Sequence, residues 1–191
     1  MGKVTGTTLT VAKEISTEHV STITSFFRRK GAYDSLPDYC NSKDLYSHLI
    51  RTLIKPDLVL RGRLTYLLTV KPTFANIFGA LHGGAIAAVA EMVSIACART
   101  VVAEDKDIFL GELGITYLSS APINWVIPRR VVDLLFGWRK HSSEAEVIVN
   151  CSVVRSGRNL TVVAMEFKLK KTGQLAYTAR TTFYNTPVAK L

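Results

Sequence analysis

The chain has 191 residues, with 24 Lys+Arg against 15 Asp+Glu, a net charge of +9 and 48% apolar residues. That is the composition of one globular domain with an appendage, too apolar to be disordered. The three cysteines, Cys40, Cys97 and Cys151, are far apart and odd in number; they form neither a disulfide framework nor a zinc-ligand spacing, which suits a reducing compartment.

The charge excess is spread along the chain, with net +3 over 1–56, −1 over 57–122, +3 over 123–143 and +4 over 144–191. No basic stripe with stacking aromatics is present, so nucleic acid is not expected as a partner. A basic rim for a phosphorylated small ligand and a merely soluble basic surface both fit. The start of the chain lacks a basic segment followed by an apolar core, so no secretory signal is read. Met1-Gly2 opens like a myristoylation site, but Gly6 stands where Ser or Thr is needed.

Residues 1–42 are weakly specified. A helix is predicted over Val11–Lys30, with Ala12, Ile15, Phe26 and Phe27 apolar and Arg28-Arg29-Lys30-Gly31 as its stop. A clearer helix is predicted over 43–55, where Leu45, Tyr46, Leu49, Ile50, Leu53 and Ile54 recur at helical spacing before Pro56. From Asp57 the period changes to two, which predicts one long strand running to Val70 and closed by Pro72. Four later alternating runs predict further strands around Leu113, Val149, Met165 and Ala179. Ser156-Gly157 and Thr172-Gly173 read as tight hairpin turns between the last three.

Between the first and second strands, 83–103 is rich in alanine and apolar on all sides, which predicts a buried helix. Glu91 and Arg99 interrupt it, so it is not a membrane span. The order strand, buried helix, four strands implies an α+β fold. A curved antiparallel sheet wraps one long central helix, and an N-terminal helical extension precedes it.

Glu91 is predicted to be buried mid-helix, where an unpaired carboxylate is costly. It is either a functional carboxylate or a Glu on a locally wetted face. Gly83-Gly84 opens the same helix; bare N–H groups there can hold an oxyanion, or the pair serves only a tight turn. His82 reads as a loop histidine bonded to backbone, with a base as the sharper alternative.

Asn76-x-x-Gly79-x-Leu81-His82-Gly83-Gly84, followed by an acid eight residues after Gly83, resembles the hotdog-fold acyl-CoA thioesterases, and most nearly their phenylacetate-pathway branch. The resemblance covers about 57–122 and 144–185. It implies residues 57–191 as a hotdog domain and 1–56 as an extension. It also implies hydrolysis of acyl-CoA, no metal, no cofactor beyond the substrate's own coenzyme A, and a homodimer or homotetramer. Carried over by position, Gly83 gives the oxyanion N–H, Glu91 is nucleophile or general base, and Asn76 orients the water or thioester. His82, Gly84 and Ser94 fall on the substrate side. Many relatives have Ser or Thr where this chain has Ile95, and Leu110 replaces a serine found in some members. A noncatalytic acyl-CoA-binding protein of the same fold is the alternative.

After Pro122, relatives enter the next strand within a few residues. Here an insertion near 123–143 intervenes, holding Trp125, Trp138 and Arg129-Arg130; it reads as a lid or as an abnormal insertion. Arg155 and Arg158, with Lys168, Lys170 and Lys171 nearby, are expected either to meet CoA phosphates or to be solvated. Ala189-Lys190-Leu191 resembles the C-terminal peroxisome address. It implies a peroxisomal import receptor as partner, with the cytoplasm as the second location. Gly83 and Glu91 stand about 12 Å apart along one helix, so one side chain cannot close that gap. An antiparallel homodimer with shared sites is therefore expected.

Overall fold

The structure is a computed structural model. It describes residues 15–29, 35, 38–41, 43–76, 78–122 and 145–188. The insertion near 123–143, with Trp125, Arg129, Arg130 and Trp138, lies outside the described residues, as does Ala189-Lys190-Leu191. Two compact units divide between Leu45 and Tyr46.

The first unit holds α1 (Thr17–Arg29), shorter than the helix expected over Val11–Lys30. Ser16 caps it, its Oγ accepting the His19 N–H at 3.3 Å. Arg28 and Arg29 in the last turn complement the dipole.

The second unit begins with α2 (Leu45–Arg51), β1 (Ile54–Leu60) and β2 (Arg63–Val70). Residues 46–56, read from the sequence as part of the extension, fold with the sheet. Ile50 and Leu53 are each only 1% exposed and tie this segment to the core; burying each contributes about 1.5–3 kcal/mol. The strand expected from Asp57 to Val70 is in fact a hairpin, reversing at Gly62 with φ 74°. Alternation continues unbroken through that reversal, so period alone did not show it.

Next come α3 (Gly83–Arg99), β3 (Lys106–Tyr117), β4 (Ala145–Ser156), β5 (Leu160–Leu169) and β6 (Leu175–Pro187). The six strands form one antiparallel sheet in the order β1-β2-β4-β5-β6-β3. Leu64, Leu68, Val149, Met165, Phe167 and Phe183 point from it into one core against α3. Alanines and Cys97 on the buried side of α3 let the helix sit close to the sheet. Cys40, Cys97 and Cys151 are free thiols. The hydrogen bond with the Cys97 thiol, together with burial, pushes the Cys151 thiol far up, so it stays protonated. No helix among the described residues is long and apolar enough to cross a membrane.

The expectation that α3 is buried on all sides is corrected here. Ala85, Ile86, Val89, Ala90, Val93, Ser94, Cys97 and Ala98 are buried, but Gly84, Glu91, Ile95 and Arg99 lie exposed along one stripe. Helical spacing places those four on a single face. The alanine-rich composition hides the stripe, because two of its four members, Gly84 and Ile95, are not polar and the other two, Glu91 and Arg99, are isolated charges.

Candidate active site

The site grows from the loop that delivers the chain to α3. Asn76 Oδ1 accepts the N–H groups of Phe78 (2.9 Å) and Ala80 (3.2 Å). Two donors at one atom fix the amide orientation, leaving Nδ2 as a donor pointing away from the turn's N–H groups. The Asn76 N–H donates to the Ala80 carbonyl at 2.7 Å, and the Gly79 N–H donates to the Asn76 carbonyl at 3.0 Å. Gly79 closes the turn at φ 72°, a conformation glycine adopts without strain. The Asn-x-x-Gly spacing thus has a local cause. The Leu81 N–H then reaches the Ala121 carbonyl at 3.0 Å and docks the loop beside the end of β3.

His82 is the N-cap of α3. Its Nδ1 accepts the Gly84 N–H at 3.0 Å, so that nitrogen carries no proton. This is the backbone-bonded histidine read from the sequence. The Gly83 N–H has no acceptor among the described residues. It stands at the positive end of a 17-residue helix.

Neither glycine of the pair takes a positive φ, so their cause is close approach. A Cβ on Gly83 would meet Tyr117 Oη at 3.3 Å and its ring carbons at 3.5 Å; one on Gly84 would meet His82 Nδ1 at 3.2 Å. The Tyr117 hydroxyl donates to the Gly83 carbonyl at 3.2 Å, and the Tyr46 hydroxyl donates to the Gly84 carbonyl at 3.3 Å. Sequence reasoning missed both tyrosines. They lie 34 and 38 residues from their glycines, and no local spacing marks them.

Glu91 is exposed on the outward stripe of α3, not buried as expected. Among the described residues no ion pair involves it; Arg99, two turns on, pairs with Asp107 at 3.3 Å instead. Ser94 faces the other way, fully buried, and its hydroxyl donates to the Glu91 carbonyl at 2.9 Å. Leu110 on β3 packs against the core.

Arg155 and Arg158 are exposed on the β4–β5 hairpin, which lies at the opposite end of α3 from Gly83. Thr100, the C-cap of α3, accepts the Gly62 N–H at 2.7 Å. The Gly62 carbonyl accepts the Val153 N–H at 2.8 Å. The Lys106 ammonium bonds the Arg158 carbonyl. Lys168 and Lys170 are engaged by Glu166 and Glu146. Within one chain, then, Asn76, His82, Gly83 and Gly84 come together, Glu91 lies about 12 Å along the helix, and the hairpin arginines stand apart.

Two clefts, one lined by Arg63, Asn150 and Glu166 and the other by Glu112, Thr116 and Arg180, hold none of these residues. Among the described residues no cluster of His, Cys, Asp or Glu could hold a metal ion.

Residues 78–127 match the family model of the thioesterase superfamily. The fold is the hotdog. Thioesterase superfamily member 2 of zebrafish superposes with TM-score 0.58 at 18% identity, covering 86% of this chain and 96% of its own. A Haemophilus influenzae thioesterase superposes with TM-score 0.58 at 16% identity, covering 93% and 95%. A Streptococcus mutans protein bound to acetyl-CoA gives 0.55 at 18% identity, covering 72% and 91%. No curated protein matches the chain. The resemblance read from the motif is borne out at the level of the thioesterase superfamily and the hotdog fold, and the matched segment contains Gly83 and Glu91 while Asn76 precedes it.

Proposed function

We propose that this chain is an acyl-CoA thioesterase that works as a homodimer. The observation that carries this is the Gly83 N–H, held at the start of α3 with no acceptor among the described residues. Such a donor stabilises the oxygen of a thioester as it becomes an oxyanion. The superfamily match over 78–127 supports the reaction class, and the acetyl-CoA held by the Streptococcus mutans protein supports a CoA ester as the substrate.

Glu91 is the only carboxylate on α3, and it needs a second protomer to reach the reacting carbon. An antiparallel pairing of two α3 helices about a two-fold axis sets Glu91 of one opposite Gly83 of the other. The outward stripe, with Ile95 36% exposed, supplies the contact face. The same pairing carries the exposed Arg155 and Arg158 of one protomer toward the other's Gly83, where they meet CoA phosphates.

In the general-base route, Glu91 takes a proton from water and the hydroxide adds to the thioester carbon. The oxyanion collapses, expelling the CoA thiolate, which takes up the proton. In the nucleophilic route Glu91 adds first and expels the CoA thiolate; water then cleaves the resulting anhydride to the free acid, regenerating the Glu91 carboxylate, and its proton goes to the thiolate. Both convert acyl-CoA and water into free acid and CoA.

Glu91→Gln is expected to lower kcat by at least ~10³ on the best substrate of an acyl-CoA panel. Mixing Glu91→Gln subunits with subunits lacking the Gly83 N–H should restore one working site per heterodimer. Near-normal turnover by Glu91→Gln, or tight acyl-CoA binding without hydrolysis by the native protein, overturns the reading.

A further inference from the structure

We infer that Tyr117 is a positioning residue that aims the Gly83 N–H, with Tyr46 in a secondary role on the next peptide. The inference rests on the reading of Gly83 as the oxyanion donor.

Two glycines in a first helical turn leave the backbone freer than any other pair, yet an oxyanion donor must be held to a fraction of an ångström. The structure supplies the restraint from outside the helix. Tyr117 Oη donates to the Gly83 carbonyl at 3.2 Å and Tyr46 Oη to the Gly84 carbonyl at 3.3 Å. A carbonyl has a second lone pair, so these bonds add to the helical ladder and do not displace it. Both residues are more than half exposed, 53% for Tyr117 and 59% for Tyr46, so neither is there to fill the core.

Tyr117 is in turn fixed by register. It stands opposite Tyr177 on β6, which stands opposite Phe167 on β5. The three rings meet edge to face, with centroids 5.8 and 6.0 Å apart. Phe167 and Tyr177 are buried. Burial pushes the Tyr177 phenol above its ordinary range, so it stays neutral while its oxygen accepts the Ala121 N–H at 2.8 Å. A rigid aromatic row thus ends on the Gly83 carbonyl, whose peptide carries the Gly84 N–H that His82 accepts; holding that plane on one side of the Gly83 Cα fixes the direction of the open N–H on the other. The absence of a Cβ at Gly83 lets the last ring close on it, since a methyl there would meet Oη at 3.3 Å.

The test is Tyr117→Phe, which keeps the ring and deletes the donor. We expect kcat to fall ~10-fold with KM within about twofold, and amide exchange at Gly84, whose N–H lies on the peptide that Tyr117 holds, to quicken in the substrate-free protein. Tyr46→Phe should act in the same direction by about threefold. Gly83→Ala should cost less in the Tyr117→Phe background than in the native one, because the nearest atom to the new methyl is gone. Unchanged kcat and exchange in Tyr117→Phe, or a loss confined to melting temperature or KM, overturns the inference. Glu91→Gln measured in parallel separates the two failures: if it abolishes turnover while Tyr117→Phe is silent, only the role of Tyr117 falls. If Glu91→Gln turns over normally, the reading of the site falls, and the exchange rates still decide whether Tyr117 restrains Gly83.

Discussion

The two ends of α3 are finished in opposite ways. At the C-terminal end the cap and the two following residues close back on the helix. The Thr100 hydroxyl donates to the Cys97 carbonyl at 2.7 Å while accepting the Gly62 N–H at 2.7 Å. The Val101 and Val102 N–H groups both close on the Ala98 carbonyl at 3.0 Å. Arg99 bonds the Lys106 carbonyl at 2.7 Å and pairs with Asp107. At the N-terminal end the cap, the loop and two phenols are equally well spent, but they spare one donor. His82 takes the Gly84 N–H, and the tyrosines take carbonyls; the Gly83 N–H is left. A helix end with a purely structural task closes its polar groups, because an unmade hydrogen bond costs about 1–3 kcal/mol when buried. At the N-terminal end the Gly83 N–H has no acceptor among the described residues, and this is the donor that the proposed oxyanion role uses.

The largest effect that can break this contrast comes from removing that donor alone. Proline is favoured at the first helical position and lacks the N–H. His82, at φ −66° and ψ 134°, already has the extended conformation that precedes proline. Gly83→Pro should therefore fold. Gly83→Ala adds nearly the same steric load and keeps the N–H, so the ratio of the two isolates the donor. We expect Gly83→Pro to lower kcat ~10²–10³-fold below Gly83→Ala. Equal kcat values for the two variants would mean that the open N–H does nothing.

The contrast was partly legible in the sequence. Paired glycines, the acid eight residues later and Asn76 stood out because their causes are local: a turn, a cap and a helix start. The sheet was legible because alternation survives in Val147–Val153 and Val163–Leu169. The β1–β2 reversal was not, because Gly62 turns the chain without disturbing the period. The exposure of Glu91 was misread for a different reason. The predicted burial came from the alanines around it, whereas which side of a helix meets the sheet is a tertiary property. The phenols of Tyr46 and Tyr117 reach Gly84 and Gly83 only through strand pairing and the docking of α2. No window of sequence contains those contacts.

A smaller effect sharpens the account of the N-terminal frame. Asn76 has one duty in the structure and a second in the proposed reaction: its oxygen holds Phe78 and Ala80, and its Nδ2, with no acceptor among the described residues, would orient water or thioester. Asn76→Asp keeps acceptors for both N–H groups and loses the NH₂ donor; Asn76→Ala loses everything. Both should lower kcat roughly 10- to 100-fold, but only the alanine variant should also lower the melting temperature. If Asn76→Asp retains native kcat, the residue only builds the turn.

The smallest effect belongs at the closed end. Thr100→Ala removes a cap on the Cys97 carbonyl and strands the Gly62 N–H. The cost should be about 1–3 kcal/mol, with each kcal/mol lowering the melting temperature by roughly 2–4 °C in a chain of this size. Thr100→Ser keeps the hydroxyl and should recover most of that loss. Neither variant should change kcat or KM when assayed well below its melting temperature, because within one protomer Thr100 sits a full helix length from Gly83. A kcat change in Thr100→Ala that Thr100→Ser reverses would show that the C-terminal end also sets the geometry of the reacting groups. The antiparallel dimer permits that outcome, since it carries one protomer's helix end past its partner's helix start. The division of labour between the two ends would then hold within a protomer but not across the pair.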